Sequence, residues 1–133
     1  MRKQTVGLVL VIAISLSACA RKDPAVERDQ IPVACVITAL TPEQRAREGV
    51  LVEEHFATIQ ETRERKDGYS FRYPADPALF ARMAELVSLE HRCCPFLDFQ
   101  LEWAGGDAAP WLHVTGSAEA KELVRDTFAA APR

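Results

Sequence analysis

No stretch of this sequence carries a block of basic residues, and acidic side chains outnumber Lys and Arg by 19 to 16. That balance leaves no electrostatic footprint for a phosphate backbone and argues against nucleic acid as a partner. There is no glycine-rich phosphate loop, no H-E-x-x-H and no Gly-x-Ser-x-Gly elbow. The paired C-x-x-C spacing of structural zinc modules is missing as well, which weakens zinc as a ligand. With these catalytic constellations absent, the sequence leaves enzyme activity open and favours a binding role over it.

One long apolar run is present, from Val6 to Leu16, behind the basic pair Arg2 and Lys3. It is too short to span a bilayer as a stable helix and fits the core of a signal peptide. It ends in Leu16-Ser17-Ala18-Cys19, the bacterial lipobox pattern. The small residues admit the backbone to a peptidase cleft, and the Cys19 thiol receives the lipid. The expectation is a signal peptide over 1–18, a lipidated Cys19 and a cell-envelope protein held on a membrane by its lipid anchor. Ala20 follows the lipidated cysteine, where an aspartate would favour inner-membrane retention. In a Gram-negative source the expected location is therefore the outer membrane, facing the periplasm.

Removing 18 of the 133 residues leaves 115, and losing Arg2 and Lys3 from 16 basic against 19 acidic residues makes the net charge −5. That length suits one ordinary domain. Residues 19–32 mix charges with two prolines and show no periodicity, so they are expected to be a tether. The domain then occupies 33–133. It begins with the apolar run Val33-Ala34-Cys35-Val36-Ile37, either an extended lead-in or a brief edge strand.

Three helix starts are legible. Thr41-Pro42-Glu43-Gln44 supplies an N-cap, a proline at the first helical position and a capping box; this helix should reach about Phe56, with Val50, Leu51, His55 and Phe56 inward. Asp76-Pro77 starts a second helix, whose stripe is Leu79, Met83, Leu86 and Val87; it must stop near Cys94, because the residue before Pro95 is pushed out of the α region. Ser117 caps a third, with Leu123, Val124 and Phe128 inward. Between them lie two hairpins: Gln60 to Arg65 with Tyr69 to Tyr73, and Phe96 to Trp103 with Trp111 to Thr115. The fold class is therefore α+β, an antiparallel sheet of about four strands with three helices. Hairpin and helix recur at an offset of 41 positions, which superposes Phe71 on Leu112 and Met83 on Val124 and suggests a duplicated ββα unit.

The chemistry concentrates in Glu90-His91-Arg92-Cys93-Cys94-Pro95. The second helix carries its inner stripe on to Glu90, then to Cys93 and Cys94 at i+3 and i+4, so carboxylate and thiols share a face. A carboxylate there is paired, solvated or functional. Pairing with Arg92 or Arg72 is the plain structural alternative. Once Cys19 is lipidated, Cys35, Cys93 and Cys94 remain, an odd number in an oxidising compartment. Soft thiolates suit copper(I), zinc, mercury(II) or trivalent arsenic. A third sulfur from Cys35 would complete a three-coordinate site, with His91, His55 or His113 as further nitrogen donors. A disulfide from Cys35 to either neighbour, a vicinal disulfide, and plain packing of small apolar thiols are the competing readings.

Three segments carry a resemblance: Gly68 to Pro74, Leu89 to Leu101 and Trp111 to Gly116. Together they resemble a family of small uncharacterised bacterial proteins with an E-R-x-C-C-P-F-x-x-F-x-L signature, over about residues 33 to 130. Cys35-Val36-Ile37 matches the family's C-x-L opening, with Ile for Leu. His91 departs from it, standing between Glu90 and Arg92 where the family sets Glu beside Arg, and so does the lipoprotein signal. The resemblance implies this fold and this cysteine set, and no activity. The expected function is that of a membrane-tethered envelope lipoprotein binding a soft metal or metalloid ion through Cys35, Cys93 and Cys94, with Glu90 or His91. The alternatives are a structural or interaction lipoprotein with a disulfide, and a thiol-redox protein.

Overall fold

In the computed structural model, residues 31–129 are described; the expected signal peptide, Cys19 and the tether up to residue 30 lie outside the described residues. A 3₁₀ turn at Ile37–Ala39 leads into α1 (Pro42–Thr58), then β1 (Glu61–Arg65) and β2 (Gly68–Arg72). Helix α2 (Pro77–Cys93) follows, then β3 (Asp98–Glu102), β4 (Trp111–Thr115) and α3 (Ala118–Val124), which passes into a π-helical turn at Arg125–Ala129. None of the described helices is long and apolar enough to cross a membrane.

All three helices start as the sequence dictates. Thr41 Oγ1 accepts from the Gln44 N–H while Gln44 Oε1 accepts from the Thr41 N–H, so two otherwise orphaned donors are satisfied reciprocally. Asp76 accepts from the Ala78 N–H and Ser117 from the Ala120 N–H. Helix α2 stops at Cys94 (φ −119°, ψ 66°), immediately before Pro95.

The four strands form one antiparallel sheet in the order β1-β2-β4-β3. The central strands β2 and β4 pair Tyr69 with Val114 and Phe71 with Leu112, and all four side chains are buried in the core. Phe71 and Leu112 are the positions superposed by the 41-residue offset, and the two hairpins lie on either side of this pair. Met83 and Val124, also related by the offset, are both buried, although α2 has 17 residues and α3 only 7. Gly68 is required by this pairing: a Cβ there would lie 2.0 Å from the Val114 carbonyl oxygen. The other face of the sheet is polar, with the Ser70 hydroxyl 2.7 Å from His113 Nδ1 and Glu102 3.2 Å from its Nε2.

Two expectations need correction, and one alternative is decided. Val50 is 56% exposed, because the inner stripe of α1 runs through Leu51 and His55, one helical turn apart, and Val50 falls on its flank. Leu123 is likewise half out of the core at 37% exposure. The run Val33 to Ile37 makes no strand: the Val36 N–H donates to the Cys93 carbonyl at the end of α2, so this lead-in docks on a helix terminus and not on a sheet edge.

One polar pair lies deep in the core. The Tyr73 hydroxyl hydrogen-bonds His55 Nδ1, and rings of Phe56, Phe71 and Phe128 surround the imidazole. Burial lowers the His55 pKa to about 4 and raises that of Tyr73, so both are neutral at pH 7.

Candidate functional site

The last turn of α2 builds the site. Glu90, Cys93 and Cys94 are all buried, and one ligand atom from each lies within 4.8 Å of the others. Glu90 and Cys93 share the inner face by helical periodicity. Cys94 stays beside them because the proline ends the helix there, with its N–H on the Glu90 carbonyl at 2.7 Å. The Cys93 and Cys94 sulfurs are 3.9 Å apart. Cys35 comes from 59 positions away, and its sulfur lies 3.3 Å from that of Cys94. All three are free thiols, and no disulfide is formed among them.

The lead-in holds Cys35 in place through the Val36–Cys93 backbone bond and through Arg92, whose Nη2 donates to the Ala39 carbonyl at 2.5 Å. Arg72 is engaged by Glu61 at 3.0 Å. Neither arginine pairs with Glu90, so the ion pair that would have explained a buried carboxylate is not the one formed.

Glu48 on α1 completes the group, and the sequence reading missed it. The Cys93 thiol donates to its Oε1 at 3.2 Å and lies 3.8 Å from Glu90 Oε2. The signal was present: Glu48 precedes Leu51 by three positions and Val52 by four, and so faces the same way as the inner stripe. What brings it to Cys93 is the packing of α1 on α2, clamped by Arg47–Glu85 at 2.6 Å and Arg82–Glu54 at 2.8 Å.

His91 is exposed, because it sits about 100° round the helix from Glu90, and it is not a member of the buried group. His55 is occupied with Tyr73, and His113 lies on the opposite face of the sheet. The donors brought together are therefore sulfur and carboxylate, with no imidazole among them.

Burial sets the protonation of these groups. It pushes the Cys93 thiol up to about 12, with the hydrogen bond to Glu48 acting in the same direction. Cys94 is also raised, by burial and then by its bond with Cys35. Glu90 is raised by burial and then by the charge of Glu48. A cation placed here would relieve the repulsion between the two carboxylates, and a covalent electrophile would engage the sulfurs.

The group opens on a cavity of about 290 Å³. Cys35, Glu48, Glu90, Cys93 and Cys94 form its polar wall, with Arg45 beside them. Leu40, Val52, Leu97, Val124 and Phe128 contribute apolar wall. Gly116 lets the loop after Pro95 close in: a Cβ there would lie 2.8 Å from the Ala120 Cβ and 3.1 Å from the Phe96 carbonyl oxygen. The loop after α2 and the turn before α3 are thus held in contact. Glu90, Cys93 and Cys94 thus form a buried group that could hold a metal ion. No family model, no curated protein and no solved structure matches this chain.

Proposed function

We propose that this chain is a lipid-anchored envelope protein that binds a soft metalloid, trivalent arsenic, through Cys35, Cys93 and Cys94, with Glu90 and Glu48 around the sulfurs. The observation that carries the reading is the convergence of three free thiols, one from 59 positions away, on the wall of one cavity. The sulfur separations select among soft ions. With metal–sulfur bonds of about 2.3 Å, a linear two-sulfur ion such as mercury(II) would hold its sulfurs about 4.6 Å apart. Separations of 3.3 and 3.9 Å suit an atom whose bonds diverge at a bent angle, as those of trivalent arsenic do. The clustered sulfurs and the missing C-x-x-C pairs favour a sulfur-seeking ion over structural zinc.

The test is titration of the full-length chain, with Cys19→Ser to remove the anchor thiol, purified in detergent and reduced with a phosphine. One arsenite per chain is expected, and Cys35→Ser should weaken it, since hydroxyl oxygen is a poor ligand for a soft ion. Failure to bind arsenite at micromolar concentration overturns the reading. The anchor is tested separately by membrane fractionation, in which Cys19→Ala should abolish lipidation. A second reading rests on the 3.3 Å Cys35–Cys94 contact, which favours a disulfide in an oxidising compartment. Thiol counting on protein isolated without reductant decides between the two readings.

A further inference from the structure

The cavity beside the thiols is larger and more apolar than a bare ion requires. Its volume is about 290 Å³, whereas a dry cavity of about 150 Å³ already holds a benzene ring. Its apolar wall comes from four separate parts of the chain: Ile37 and Leu40 from the lead-in, Val52 from α1, Leu97 from the loop after α2, and Leu123 and Phe128 from the C-terminal turns. Apolar surface turned toward an open cavity costs free energy in proportion to its area, and a ligand that covers it recovers that cost. An inorganic ion covers none of it.

We propose that the site takes a trivalent arsenical carrying one organic substituent, with arsenic bonded to Cys94 and one further thiol and the organic group against the apolar wall. The proposal rests on the metalloid reading above and names its substrate class. Trivalent arsenic makes three bonds. In the inorganic form all three are available to sulfur; in a monosubstituted form carbon holds one, and two remain. Both close sulfur pairs, 3.3 Å to Cys35 and 3.9 Å to Cys93, share Cys94, so one bent atom can join it to either neighbour.

The condensation balances without a redox partner. An arsonous acid, R–As(OH)₂, loses two As–O bonds and gains two As–S bonds. Each thiol proton departs with a hydroxide as water, and arsenic stays trivalent. The ligand thus carries the acceptor for the thiol protons and is neutral on entering an apolar cavity, whereas a free metal cation would enter charged.

The experiment uses the reduced full-length Cys19→Ser chain, with phenylarsine oxide, methylarsonous acid and arsenite as probes, each competed against a small soluble dithiol. The preference for phenyl over methyl should exceed that of the free dithiol by about tenfold, because only the protein offers the ring an apolar wall. Val52→Trp fills that wall and should erase the excess preference, which compares two arsenicals on the same variant and so needs no unchanged arsenite affinity. Leu123→Trp, at a half-exposed position, makes the same test should circular dichroism show Val52→Trp to be unfolded. A phenyl preference equal to that of the free dithiol, with arsenite still bound, overturns the organic substituent and leaves the metalloid reading standing. An excess preference unchanged in a folded tryptophan variant also overturns it. Binding of none of the three probes overturns both.

Discussion

His55 and Tyr73 are almost wholly buried, and so are Glu90, Cys93 and Cys94, yet the two groups are buried in different ways. The imidazole and phenol bond to each other inside a shell of phenylalanine rings, and His55 Nε2 has no partner among the described residues. The thiols and carboxylates stand on a cavity wall, where a ligand can reach every one of them. A sealed polar pair can only stay neutral and fix the packing around it. A polar group on a cavity wall keeps its chemistry available, at the cost of carboxylates held close together in poor solvent. The histidine, usually the first suspect in a buried cluster, is here sealed in the core, and the helix-end cysteines are the candidate site.

Acid should separate the two clusters most strongly. The folded-state pKa of His55 is lowered to about 4, whereas an unfolded histidine titrates near 6.5. Between those values the unfolded chain binds a proton that the folded chain rejects. The neutral-His55 contribution is therefore fully present above pH 6.5 and is lost as pH falls toward 4. It amounts to about 3 kcal/mol across that window. Urea unfolding at pH 7 and pH 4.5 measures it, and a His55→Gln chain should lose much of that dependence. An unchanged pH dependence in this variant would mean that His55 is not sealed.

Next in size is Cys94→Ser, expected to reduce arsenite affinity about 100-fold or more, since it removes the sulfur common to both close pairs. Its effect on unfolding should stay within about 1 kcal/mol, because serine nearly fills the same volume. Tyr73→Phe should do the reverse. It leaves His55 Nδ1 without its partner and costs about 1–3 kcal/mol of stability, with arsenite binding unaltered. Equal effects of the two substitutions on both measurements would erase the distinction between the clusters. The smallest expected effect belongs to Glu48→Gln. Removing that charge relieves part of the upward pressure on the Cys93 thiol. Iodoacetamide should then alkylate Cys93 about threefold faster at pH 8, provided the hydrogen-bond geometry is kept.

What the sequence discloses follows from how local each determinant is. The caps at Thr41, Asp76 and Ser117 act within four residues, and Pro95 acts on its immediate neighbour, so helix starts and the α2 stop could be read directly. The grouping of Glu90, Cys93 and Cys94 follows from helical periodicity alone. Cys35 was a candidate by chemistry, and only tertiary structure could supply its 3.3 Å contact. Glu48 was not foreseen, because its role depends on how two helices 38 residues apart at the Arg47–Glu85 pair lie against each other. The edge-strand alternative for Val33 to Ile37 failed for a related reason. An apolar run states that a segment will be covered, but not whether a strand or a helix end will cover it.

The fastening of Val36 to Cys93 gives the site a rate as well as a geometry. Residues 34–38 are exposed, between Ile31 and Val33, which pack partly buried on the core, and the buried Leu40; that bond and Arg92 on the Ala39 carbonyl fasten them. An exposed segment with few bonds of its own can open locally at lower free energy than the sheet unfolds. A ligand bonded through Cys35 would clamp this segment shut, and its escape would wait on local opening. The Val36 amide should exchange with deuterium ahead of those in β2 and β4, and slow sharply once the thiols are bridged. The protein's hold on a bound ligand would then be timed by residues 34–38, while the core stays folded throughout.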